Sequence, residues 1–157
     1  FHIATEVREL ADGVADASFL AVAGLRRLGL TQHIAAVIPM EEMLPAIAQG
    51  AIGIEIREGD EKIAKLLEPI NHGESATAMA CERAFLAALD GSCRTPIAGH
   101  ARLADGRLHF RGETLTLDGK KVFTAERVGS PADAARMGAD AAAEVKANGG
   151  SLIVGAS

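Results

Sequence analysis

Cysteine is scarce in this sequence: Cys81 and Cys93 are the only two in 157 residues. They form no CxxC pair and have no neighbouring histidines, which excludes a zinc pattern and a disulfide framework. The cytoplasm is then the expected compartment. Positive charge is also short, with 16 Lys and Arg against 21 Asp and Glu and a net charge of -5. A nucleic-acid binder needs a basic face to neutralise phosphates, so that class is excluded, while a local cationic pocket for a small anion is not. Long apolar runs are missing too. "FLAVAGL" and "IAAVIPM" fall far short of the roughly 18 residues of a membrane span. No internal repeat or low-complexity stretch is present, and nothing before Glu9 and Leu10 resembles a signal peptide. With Phe1 in first place, the chain reads as cut from something longer.

What is there is a composition 48% hydrophobic, enough to bury a core in one ordinary domain or two small ones. "ASFLAVAG" and "IAAVIP" read as buried parallel strands joined by a helical turn at "GLRRLGL", so the first third has an α/β character. "IGIEIR" alternates, placing Ile52, Ile54 and Ile56 on one side of a further strand, and a hinge falls near Gln49 and Gly50. "DEKIAKLLEPI" predicts a short amphipathic helix closed by Pro69. A longer helix follows, capped by Asn71 with Glu74, with Ala78, Cys81, Phe85 and Leu89 on its apolar face. Three runs from Pro96 onward are separated by Asp105-Gly106 and Asp118-Gly119, which predicts an antiparallel meander. Ser130-Pro131 opens a last helix that runs to about Asn148 and turns Met137, Ala141 and Val145 inward.

Two positions carry chemistry on their own residues. Cys81, mid-helix on an apolar face, reads as a small buried hydrophobe. Cys93 follows Gly91-Ser92 at a helix-to-strand junction with Arg94 beside it, a context that can favour an accessible thiolate able to attack an electrophilic carbon; an incidental loop thiol is the plainer alternative. Arg26 and Arg27 stand where an apolar run feeds a helical turn, from which a guanidinium can grip a carboxylate or phosphate with two hydrogen bonds; a solvated pair is the alternative. His33, His72, His100 and His109 have no metal spacing, and no metal site is expected. The glycines near Gln49 lack the lysine and spacing of a phosphate loop.

Taken together, "AVAGLRRLGL", "LPAIAQGAIGIEIR", "NHGESATAMACERAFLAALDGSCRTPIAGHA" and the Asp-Gly meander resemble the C-terminal half of the hydroxymethylbilane synthase family, also called porphobilinogen deaminases. The resemblance follows essentially the whole chain and is most specific around Cys93. It implies that Cys93 carries a covalent dipyrromethane cofactor, which primes stepwise addition of porphobilinogen to give hydroxymethylbilane. It implies an α/β remnant of a periplasmic-binding-protein-like domain over residues 1–44. A crossover and segment returning to a first domain would span 45–72. An α+β domain with a three-stranded antiparallel sheet packed on helices, carrying the cysteine loop, would span 73–157. By the same resemblance Arg27 binds acetate and propionate groups, Ala21 lies in the matching backbone stretch, and Gln49 lines the cleft. The implied partners are porphobilinogen, the growing pyrrole chain and the missing N-terminal part of the same enzyme, with neither nucleic acid nor membrane.

The departures are specific. Glu6 stands where the family has an arginine, Ala48 where it has glycine, and the first domain, with the aspartate that serves as catalytic acid, is almost absent. No catalytic residue is therefore assigned, and this chain alone is expected to be inactive. The competing readings are a non-catalytic detached module that binds a partner or small carboxylic acid, and, more weakly, a thiol redox protein, for which Cys93 lacks a nearby resolving cysteine.

Overall fold

A computed structural model describes residues 3–91 and 95–149. The chain divides into two units, residues 1–43 and residues 44–157. In the first, helix α1 (Ile3–Ala11) and helix α2 (Val22–Arg27) are ordered by short-range contacts. The Ile3 side chain fills the space where a Cβ on Gly24 would stand, and Leu25 is buried. Leu28-Gly29-Leu30 ends α2. The Leu30 amide donates to the Leu25 carbonyl at 2.9 Å and the Gly29 amide to Arg26 at 3.2 Å, with Gly29 at φ 69°. This reciprocal closure needs a left-handed residue, which glycine supplies without strain.

The strands expected at "ASFLAVAG" and "IAAVIP" are not formed: Val22 onward is helical, and the remainder is irregular. The physical reason is pairing. An apolar run becomes a parallel strand only beside other strands, and among the described residues the first unit holds none.

The second unit is a two-layer α+β arrangement. Strands β1 (Ile97–Ala104), β2 (Arg107–Leu115) and β3 (Val122–Gly129) form an antiparallel sheet in the order β1-β2-β3. Asp105 and Gly106, at φ 51° and 71°, make the tight turn that the Asp-Gly pair predicts. At the second turn Asp118 accepts from the Thr116 hydroxyl and the Lys120 amide, which lowers its pKa from the ordinary carboxylate value.

Helices α4 (Gly73–Ala88) and α5 (Ala134–Gly149) cover one face of this sheet. Cys81, Phe85 and Leu89 of the α4 stripe are fully buried against Leu108 and Phe110 of the sheet and against Met137, Ala141 and Val145 of α5. Each large side chain so removed from water contributes roughly 1.5–3 kcal/mol. Phe85 and Phe110 meet edge to face with centroids 5.2 Å apart. Small residues let the helices close up: a Cβ on Gly138 would stand 2.0 Å from the Cys81 carbonyl oxygen.

Two details differ from the sequence reading. The cap of α4 is His72, whose Nδ1 accepts from the Ser75 amide at 3.3 Å, one residue beyond the expected Asn71. "IGIEIR" is not a strand; Ile52 is 94% exposed, and no backbone hydrogen bond among the described residues engages the amides from Ile52 to Glu58. Alternation prepares a strand, but a partner edge has to complete it. The following helix α3 (Glu61–Leu67) forms as expected, with Asp60 as its cap, yet Leu66 stays 65% exposed. Ser130 caps the turn leading into α5 by accepting from the Ala132 amide.

Candidate functional site

Arg27 is the last residue of α2, exposed, and forms no ion pair or hydrogen bond among the described residues. Ala21 is the residue before that helix, extended at φ -66° and ψ 119°, and its carbonyl accepts from the Gly24 and Leu25 amides. One short helix thus carries both, Ala21 at its start and a free guanidinium at its end. Such a group, planar and always charged, is suited to a two-pronged grip on a carboxylate. Glu6 lies on α1 of the same unit, where its carboxylate accepts from the Ser18 hydroxyl at 2.8 Å.

Gln49 belongs to the second unit. It sits on a tight turn held by the Gln49 amide donating to Ala46 and the Ala51 amide to Ala48. That turn is docked on the outer edge of β1: the Gly99 amide donates to the Pro45 carbonyl at 3.0 Å, and Ala46 bridges to Ala98. Leu44 is buried and Ile47 packs against the core, while Gln49 itself faces out. Ala48 has φ 61°, a left-handed conformation, and Gly50 has φ 84°. The glycine expected at position 48 would adopt it freely, whereas alanine holds it against steric strain.

Cys93, Ser92 and Arg94 lie outside the described residues. Their flanks are firm. On one side α4 closes at Asp90, φ 51°, with the Gly91 amide donating to Leu86; on the other the Ile97 amide donates to Thr95 just before β1. Cys81 is the contrasting thiol. Burial, and secondarily the charge of Glu82, push it up to about 12, so it stays protonated and inert.

Glu82 is the functional-looking group that sequence reasoning passed over. It is buried, 6% exposed, and its carboxylate accepts from the Ala48 amide at 2.7 Å and the Ala101 amide at 2.8 Å. The available signal was an acid inside the apolar "CERAF" stretch, next to the Cys81 stripe. A groove of about 330 Å³ between β3 and α5 is a poorer candidate. Its charges cancel, since Arg127 pairs with Asp140 and Glu144 at 2.7 Å each and Arg136 with Asp133 at 2.9 Å.

Among the described residues no cluster of His, Cys, Asp or Glu could hold a metal ion, and no helix is long and apolar enough to cross a membrane. Two family models match the chain. "Porphobilinogen deaminase, dipyromethane cofactor binding domain" covers residues 2–65, and "Porphobilinogen deaminase, C-terminal domain" covers 76–147. The chain is 52% identical over 145 residues to the porphobilinogen deaminase of Paracoccus denitrificans, covering 92% of this chain and 46% of that one. Identity is 46% over 149 residues to the Nitrobacter hamburgensis enzyme, with 95% and 47% covered. It is 46% over 152 residues to the chloroplastic enzyme of Pisum sativum, with 95% and 41% covered. The chain therefore spans about half the length of the curated relatives it matches. Two matched models of one kin group, in order along the sequence, and relatives near one-half identity establish that the chain belongs to the porphobilinogen deaminase family.

Proposed function

We propose that this chain supplies the C-terminal half of a transferase of tetrapyrrole biosynthesis, which deaminates porphobilinogen and joins its pyrroles onto a primer to give hydroxymethylbilane. The observation that carries the reading is the match of residues 2–65 to a dipyrromethane-binding family model, a span containing Ala21, Arg27 and Gln49. The residues suit such a ligand. A dipyrromethane with acetate and propionate arms presents several carboxylates, and Arg27 offers an exposed guanidinium that no acid among the described residues already engages.

In this reading Cys93 is the attachment point, its sulfur bonded to the cofactor; Arg27 holds carboxylates, the Ala21 stretch gives backbone beside them, and Gln49 lines the cleft with an amide. Bound in this way, the cofactor supplies the pyrrole carbon to which the first substrate unit is joined. The chain's own residues anchor and orient; no residue present is assigned as the acid or base. Residues 1–44 correspond to the end of a periplasmic-binding-protein-like domain, 45–72 to a crossover returning to a further domain, and 73–157 to the cysteine-bearing domain. Exposed Ile52, Ile54 and Ile56 fit an edge that a domain outside this chain would cover. Porphobilinogen, the growing pyrrole chain and that N-terminal part are the partners, and the cytoplasm is the proposed compartment.

The test is intact mass. The chain produced in cells that make porphobilinogen should exceed its sequence mass by one dipyrromethane, and Cys93→Ser should remove the excess. An unmodified chain after addition of the N-terminal half of a relative, with no porphobilinogen consumed, would overturn the assignment. That outcome would instead favour a non-catalytic module binding a partner or small acid, the reading that Glu6, an acid in the unit that carries Arg27, supports.

A further inference from the structure

The outer edge of β1 presents amides that no strand receives. In the β1–β2 register, Gly99 and Ala101 turn their N–H groups away from β2. The Pro45 carbonyl takes the first and a carboxylate oxygen of Glu82 takes the second. The other oxygen of Glu82 takes the Ala48 amide, and no lysine or arginine pairs with this acid among the described residues. A buried carboxylate balanced only by backbone N–H groups is held by strong, charge-assisted hydrogen bonds and is costly to leave unpaired. Both oxygens are used, and on different segments. Glutamine could not replace it, because its single oxygen serves one amide and its NH₂ would confront the other.

The amide so held belongs to Ala48, the strained left-handed residue, and Gln49 follows it directly. Without an acceptor at that point, an alanine has reason to leave φ 61° for its ordinary conformation, which would swing the next residue away. We propose that Glu82 is a positioning residue: its carboxylate locks the Ala46–Ala51 turn to α4 and β1 and thereby sets where Gln49 presents its amide to the ligand. The step to the ligand rests on the reading of Gln49 given above, and the step to the turn does not.

The experiment separates the two. Residue-resolved amide exchange on the 157-residue chain and its Glu82→Gln variant should show Ala48 and Ala101 exchanging roughly ten- to a hundredfold faster in the variant, with the β2 interior still protected. Unchanged exchange at Ala48 overturns the proposal. Glu82→Asp, which withdraws the carboxylate by one methylene, serves where Glu82→Gln does not fold and should show the same pattern. Porphobilinogen affinity is then measured, with the N-terminal half of a relative added, for Glu82→Gln, Gln49→Ala and the double variant. If Glu82 acts through Gln49, the double variant binds no more weakly than the worse single one; fully additive losses refute the positioning role. If the wild-type chain, supplied with the N-terminal half of a relative, binds no porphobilinogen while Ala48 exchange does respond, the functional reading fails and the lock on the turn stands.

Discussion

Gly138→Ala tests the packing of α4 on α5 with opposed expectations. Helix propensity alone says that alanine in the interior of α5 should stabilise by about 1 kcal/mol. The tertiary contact says the reverse. The new Cβ would lie 2.0 Å from the Cys81 carbonyl oxygen and 3.0 Å from the Phe85 nitrogen, and both are backbone atoms of α4 that cannot rotate aside. Ordinary C···O contacts begin near 3.3 Å, so the helices must part by about 1 Å. A gap of that size forfeits a quarter to a half of the dispersion contact along the interface, and overpacking of this kind costs about 1–3 kcal/mol or more. The clash prevails, leaving a net loss of about 2 kcal/mol. Urea unfolding followed by far-UV circular dichroism should show the midpoint falling by about 1 M at unchanged slope. Gly73→Ala, where an added Cβ meets nothing within 4 Å, is the control and should leave the midpoint nearly unmoved. A midpoint that stays or rises in Gly138→Ala refutes the close approach of the two helices.

Ala48→Gly should raise stability by about 0.5–1 kcal/mol, because the relief of a left-handed alanine exceeds the added backbone entropy of glycine; thermal melts decide it. Stability should also fall in alkali. The Cys81 thiol has an ordinary value of 9.0 and about 12 in the folded chain. Its contribution is full below pH 9 and declines by about 1.4 kcal/mol per unit as pH climbs toward 12, a slope that Cys81→Ala should remove. Native iodoacetamide labelling at neutral pH should leave Cys81 unmodified, with alkylation there only after unfolding, as peptide mass mapping would show.

The C-terminal two-layer domain was legible because its signals are local. Asp105-Gly106 fixes a turn by backbone chirality, and Cys81, Phe85 and Leu89 repeat at helical spacing whatever surrounds them. The apolar runs before residue 40 and the Ile52–Ile56 alternation misled because strand formation is decided by a partner, and the described chain offers none there. His72 displaced Asn71 as cap because an imidazole nitrogen can receive the Ser75 amide as well as an amide oxygen can. Of the candidate site, Arg27, Ala21 and Gln49 were reached through motif likeness, and the structure places the first two at the ends of one helix. Glu82 escaped notice because period-counting treats an acid as surface, whereas a carboxylate meeting two main-chain donors belongs inside.

A sheet of three strands has two flanks along which further chains could add. Among the described residues the flank beside β1 is partly taken by the protein's own Pro45 and Glu82, which hold the Gly99 and Ala101 amides, so lateral growth, whether into fibrils or a swapped dimer of this domain, is favoured alongside β3. Solubility engineering of this domain can therefore act at the outward residues Val122 and Val128, where a lysine would interrupt templating without touching the interior.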